Sequence, residues 1–160
     1  MTPDTSTASL AWGVKQSFRN YVQATGGTID TAAGAERAAD GGFTFAPAPG
    51  GDRLTRDAEA RPHGRGAFLG EIRFEAHGGM LSVCLADPAV EIGPLGAVLT
   101  VADGPARARR VAIATLDLAA ATPGDDGEIV VPAALTLDGS QVLGDHYPAA
   151  TPLDPVRLRL

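Results

Sequence analysis

What most constrains the fold of this chain is a period of two. Short runs with alternating apolar residues recur along it, each closed by a turn rich in glycine or proline. Phe68, Ile72 and Phe74 interleave with Glu71, Arg73 and Glu75, and Val156, Leu158 and Leu160 with Arg157 and Arg159. Val98 to Val101 and Val111 to Leu118 continue the pattern. Successive side chains of a strand point to opposite faces, so this alternation belongs to half-buried strands. Turn signals fall at Gly41-Gly42, Ala46 to Asp52, Asp87-Pro88, Gly93-Pro94, Asp103-Gly104-Pro105, Thr122 to Gly127 and Asp138-Gly139. With no helix repeating between the strands, antiparallel pairing is expected rather than a doubly wound sheet. The expected fold is mainly β, an antiparallel β-sandwich or partly open barrel.

Helical period is clear only from Leu10 to Ala24, with Ser9 as the N-cap and Gly26-Gly27 as the stop. At ~100° per residue, Leu10, Ala11, Val14, Phe18 and Val22 form an apolar stripe. Ser17 and Tyr21, four apart, lie one above the other on its edge, while Lys15, Gln16, Arg19, Asn20 and Gln23 take the opposite face. One N-terminal α-helix packed on the sheet is therefore expected, with a second short helix at Ser140 to Leu143. The segment from Ala48 to Gly66, charged and rich in Gly and Pro, reads as a loop or irregular hairpin. Residues 1–160 are expected to form a single domain, with 1–9 a flexible lead-in.

Composition narrows the function. A net charge of −6 argues against nucleic acid or an anionic membrane surface as partner, since both demand a basic footprint. Arg107, Arg109 and Arg110 are the one tight basic cluster, expected to be a solvated strand end. Cys84 is the only cysteine, which excludes an internal disulfide, a cysteine-based zinc site and covalent haem attachment through Cys-x-x-Cys-His. It is expected to be a small buried hydrophobe within a strand. Met1 to Ser9 lacks the charged start and apolar run of a signal peptide, and nothing approaches the ~18 apolar residues of a membrane span. As written the chain is expected to be cytoplasmic, or at the cell surface or secreted if it is a domain of a longer exported protein.

Aromatic residues make up only 5% of the chain, so each one is informative. Tyr21 stands with Ser17 at the edge of the helix stripe, and the other tyrosine, Tyr147, lies in a Pro-rich stretch. His77 follows the best amphipathic run, in Phe74-Glu75-Ala76-His77-Gly78-Gly79-Met80, where two glycines permit a tight turn and close approach of a ligand. Taken singly, a turn histidine or a core-edge phenol is more often structural than functional.

Together these segments resemble the HtaA family, the haem-transport-associated domain of actinobacterial haem uptake. The resemblance runs from Leu10-Ala11-Trp12-Gly13-Val14-Lys15-Gln16-Ser17-Phe18-Arg19-Asn20-Tyr21 through Gly41-Gly42-Phe43-Thr44-Phe45 and Ile72 to Leu81 with Asp87-Pro88. It continues through Val111 to Leu118 and closes on Tyr147-Pro148-Ala149-Ala150-Thr151-Pro152-Leu153-Asp154-Pro155-Val156. The opening and closing motifs are the specific ones. The resemblance implies non-covalent binding of haem b, with Tyr21 as axial ligand to the iron, His77 paired with that phenol, and Ser17 in contact with the haem. It implies a role in haem uptake, transfer or storage, with other haem-uptake proteins as donor or acceptor, and leaves an oligomer open. A phenolate is a hard oxygen donor suited to Fe(III), and a hydrogen-bonding imidazole can orient it and tune its basicity. Phe18, Val14 and Met80 are candidates for the wall of an apolar slot, with Phe68 and Phe74 behind them. The plainer reading of each is ordinary core, with Met80 filling a gap.

Two other classes compete. His63, His77 and His146 could join acidic residues in a hydrolytic or metal-dependent site, but no His-x-x-x-His, Gly-x-Ser-x-Gly or close acidic pair supports an enzyme. A β-sandwich serving only protein contact would give Tyr21, Ser17 and His77 no shared task.

Overall fold

A computed structural model describes residues 8–104 and 109–160. Strands β1 (Ser9–Trp12), β2 (Thr28–Ala32), β3 (Glu36–Arg37), β4 (Phe43–Pro47), β5 (Thr55–Arg56), β6 (Pro62–Leu69) and β7 (Glu71–Ala76) come first. They are followed by β8 (Leu81–Gly93), β9 (Gly96–Asp103), β10 (Arg109–Leu116), β11 (Thr122–Pro123), β12 (Ile129–Leu135) and β13 (Pro152–Arg159). Helix α1 (Gln16–Ala24) lies between β1 and β2, and α2 (Leu137–Val142) between β12 and β13.

Every strand pairing among the described residues is antiparallel, as the alternating pattern leads one to expect. The sheet closes on itself: β6, β8, β9, β10, β12, β13, β1 and β4 follow one another in a ring of eight strands. This replaces the expected sandwich or partly open barrel. Closure rests on two joints. The C-terminal strand β13 bonds to both β12 and β1, with Leu158 opposite Ile129 and Leu10, and the short contact of Ala46 and Pro47 with Leu69 and Phe68 completes the circle. Closing a sheet requires strands to bend, and the register shifts at Ala86/Ala89, Ala112/Ala114 and Val131/Ala133 supply the bends. The first of these is Asp87-Pro88, which is a bulge within β8 rather than a turn between strands.

Strand β8 has thirteen residues and serves two structures. Its second half pairs with β6 in the ring, while its first half pairs with β7, which in turn carries β2 as an outer edge. Gly70, at φ 148°, separates β6 from β7, and a side chain there would strike Ala35 and Phe45. The run Phe68, Ile72, Phe74 is thus two strands meeting at a kink. The result is a three-stranded wing of β2, β7 and β8 beside the barrel, with α1 packed on it through Phe18, which meets Phe74 edge to face at 5.0 Å.

The N-terminal segment differs from expectation. Ser9 to Trp12 is a strand, not the first turns of a helix, and Ser9 caps nothing. Leu10 and Trp12 are buried between neighbours on both sides, while Val14 adopts φ 64° and forces a break before the helix begins at Gln16. Sheet pairing on two edges outweighs a local helical pattern. The C-terminal stop holds: Gly26 sits at φ 78° and Gly27 N–H donates to Val22 C=O at 2.9 Å. The second helix is present, one turn earlier than expected, and takes in Asp138-Gly139. The 48–66 segment folds as the irregular hairpin of β5 and β6. Cys84 is buried in β8. Of the expected lead-in, residues 1–7 lie outside the described residues, as does Arg107 of the basic cluster, while Arg109 and Arg110 are exposed on β10.

Candidate ligand-binding site

Helix α1 is fixed by an ion pair that its wheel does not show. Arg19, assigned to the solvent face, is 7% exposed and donates from Nη1 to Asp154 Oδ2 at 2.7 Å and to Gly13 C=O at 2.6 Å. The other carboxylate oxygen of Asp154 accepts the first helical N–H, from Gln16, at 3.1 Å. Lys15, the N-cap, offers no side-chain cap, so a residue of β13 does that work. Trp12 Nε1 donates to the carbonyl of Asp154 at 2.9 Å, tying β1 to the same point.

So anchored, α1 presents Ser17 and Tyr21 on its exposed side. The Tyr21 hydroxyl lies 2.6 Å from His77 Nε2 across 56 residues of sequence. His77 heads the 3-10 turn between β7 and β8 and holds φ 56°, followed by Gly78 at 65° and Gly79 at 94°. A left-handed histidine is uncommon and costs backbone energy; here it turns the imidazole toward the helix. Met80, at the end of the turn, is 91% exposed. It fills no gap in the core and lies as an apolar side chain on the open surface.

A third segment, unforeseen as part of the site, follows α2. Ser17 Oγ lies 2.9 Å from the Tyr147 hydroxyl, and the chain's only lysine, Lys15, sits 5.5 Å above the Tyr147 ring. The His146 ring lies 5.4 Å from that of Tyr21 and the His77 ring 5.7 Å from it, so two imidazoles stand near the phenol. Buried Ser140 holds this segment by donating Oγ to the Tyr147 carbonyl, and Thr136 caps α2 by accepting Gly139 N–H at 2.8 Å. The signal was in the sequence, since Tyr147 opens the closing family motif, but nothing local links it to a helix 126 residues earlier.

Phe18 is fully buried. It underlies the face, with its ring 6.3 Å from Tyr147, and does not itself line an opening. Val14, Phe68 and Phe74 are likewise core. His63 belongs elsewhere, bonded to Thr55 at 3.1 Å and lining a separate cleft of about 1110 Å³ with Ile92, Leu118 and Ile129. The three histidines therefore form no common hydrolytic centre. Neither that cleft nor a smaller one of about 410 Å³ beside Arg19 includes Tyr21 or His77. Tyr21, His77 and Met80 are exposed, so the candidate site is an open face. Among the described residues no group of three or more His, Cys, Asp or Glu could hold a bare metal ion, and no helix is long and apolar enough to cross a membrane.

Fold and site define a class, an antiparallel eight-stranded barrel bearing a phenol–imidazole face on a helix and wing outside the ring. Within that class the chain belongs to the HtaA family, whose model matches residues 7–159. It is similar to the C-terminal domain of HtaA from Corynebacterium glutamicum, at 27% identity over 96% of this chain and 95% of that one, with TM-score 0.74. The N-terminal domain of the same protein matches at 26% identity over 97% of both chains, TM-score 0.73. The haem-binding protein HtaB of that organism shares the fold at 19% identity and TM-score 0.67, over 96% of this chain and 92% of its own. No curated protein sequence matches.

Proposed function

We propose that this domain binds haem b non-covalently, with the Tyr21 phenolate as axial ligand to ferric iron, and serves haem uptake, transfer or storage. The observation that carries the reading is the 2.6 Å bond between Tyr21 and His77 at an exposed surface. The donor set suits the group. Tyr21, more than a third exposed, can bring its phenolic oxygen to the iron, while the imidazole behind it orients that oxygen. Exposed Met80 offers an apolar contact for a macrocycle, and the Ser17–Tyr147 hydroxyl pair beside Lys15 offers hydrogen bonds and positive charge for a propionate. Bound haem would supply a Lewis-acidic ferric centre with affinity for a hard oxygen donor. HtaB, a haem binder of the same fold, supports the ligand class.

The open face suits a carrier. It would expose its cargo to a donor or acceptor, and an iron bond that depends on phenolate would be weakened by protonation of that oxygen. Binding rather than catalysis is the reading we favour, supported by a haem-binding protein of the same fold.

Haemin titration followed by visible absorption tests this. Saturable uptake with a high-spin, oxygen-ligated ferric spectrum is expected, and Tyr21→Ala should remove that spectrum. An unchanged spectrum in the variant would sink the ligand assignment, and absence of saturable uptake by the unaltered protein would sink haem binding itself.

A further inference from the structure

His146 has no task in the fold. Its ring nitrogens take no hydrogen bond or ion pair among the described residues, and the residue is exposed. Its position is nonetheless built. Gly144 at φ 77° and Asp145 at φ 62° are two consecutive left-handed residues, the second of them not glycine. A side chain at position 144 would come within 3.3 Å of His146 Cδ2 and 3.4 Å of Leu81 Cδ1, so the glycine leaves the space the imidazole takes. The turn is closed by Asp145 N–H to Ser140 C=O at 2.9 Å, and buried Ser140 also anchors Tyr147. Backbone strain, a glycine-cleared seat and a buried anchor together bring a ring without a partner against Tyr21, at 5.4 Å between centroids and 49° between planes.

We propose that His146 is a second iron donor of the site, a nitrogen ligand held in reserve beside the phenol. The inference rests on the haem reading and deepens it. The two imidazoles near Tyr21 then differ in work. His77 is engaged with the phenolic oxygen, whereas the ring nitrogens of His146 have no hydrogen-bond partner among the described residues. Imidazole is a good ligand to haem iron. Such an exchange would break the bond from iron to the Tyr21 oxygen, which would take a proton from solvent, and would form a bond to a His146 ring nitrogen with no change in oxidation state. The site therefore has an oxygen-ligated and a nitrogen-ligated state, and cargo can leave Tyr21 without first leaving the protein.

Tyr21→Phe tests this, since it keeps the ring that His146 packs on and removes only the oxygen. Haemin titrations read by visible absorption and electron paramagnetic resonance should show that Tyr21→Phe still takes up haemin, now with a nitrogen-ligated ferric signature. Tyr21→Phe/His146→Ala should lose that signature and bind about tenfold more weakly or worse. Tyr21→Phe/His77→Ala should keep it, and His146→Ala alone should retain the oxygen-ligated spectrum. Should either His146→Ala protein fail to show native far-ultraviolet circular dichroism, His146→Gln takes its place. If Tyr21→Phe takes up no haemin, or the His146 double variant keeps the nitrogen signature, the proposal is overturned while haem binding by the unaltered protein stands. No uptake by the unaltered protein overturns both.

Discussion

At the scale of single residues, the site depends on side chains held in conformations their residue types rarely adopt. His77 at φ 56° reaches Tyr21 only because Gly78 and Gly79 continue the left-handed turn. With the ligation proposed above, His77→Ala would leave the Tyr21 oxygen as the iron donor and weaken haemin affinity by about 10- to 100-fold, the usual cost of losing a group that orients a ligand; competition with an apo-globin acceptor measures it. Tyr21, Ser17 and His77 were legible as candidates because each stands out in its own segment, a phenol and hydroxyl four apart on a helix and a histidine before two glycines. Their convergence was not legible locally and came from the family resemblance. Tyr147 and His146 were visible residues with no visible partners, because a hydrogen bond across 130 residues leaves no periodic trace. Arg19 was placed wrongly for the same reason: a helical wheel assigns charge to solvent and cannot see a carboxylate arriving from the far end of the chain.

At the scale of elements, α1 is short, lacks a side-chain cap of its own, and owes its position to Asp154 and to the Phe18–Phe74 contact. Asp154→Ala leaves Arg19 buried without its carboxylate and the helix start without an acceptor, and should cost about 3 kcal/mol in urea unfolding. Gly13→Ala strikes the same point, since its new methyl carbon would lie 2.3 Å from Asp154 Oδ2 and 2.4 Å from Arg19 Nη1. Phe18→Ala removes the ring under both Phe74 and Tyr147, and is expected to cost about 3–5 kcal/mol and to loosen haemin binding as well. The boundary error at Leu10 to Trp12 belongs to this scale. Leu10, Ala11 and Val14 suit a helical stripe, while Leu10 and Trp12 suit a strand equally well. The choice was made by β4 and β13, which bond the segment from both sides.

For the whole molecule, alternation in the sequence established antiparallel strands but not whether their sheet would close. Closure depends on bulges and on which strands meet at the seam, and neither is written in the period of two. The seam is made by β13, bonded on both edges, so a chain ending at Thr151 should form no stable ring. Its only tryptophan, Trp12, loses the Asp154 carbonyl in that truncation and should emit as an indole in water, with no haemin uptake. Amides of β9 and β10, inside the ring, should exchange with solvent only on global unfolding, whereas those of β2, at the outer edge of the wing, should exchange much sooner. Strand β8 runs through both regions, and that gives the protein two clocks on a single backbone. The slow clock is the lifetime of the barrel. The fast one is expected to be the opening of the wing that carries His77, and a guest held there, as proposed, would leave on that shorter time while its host stays folded.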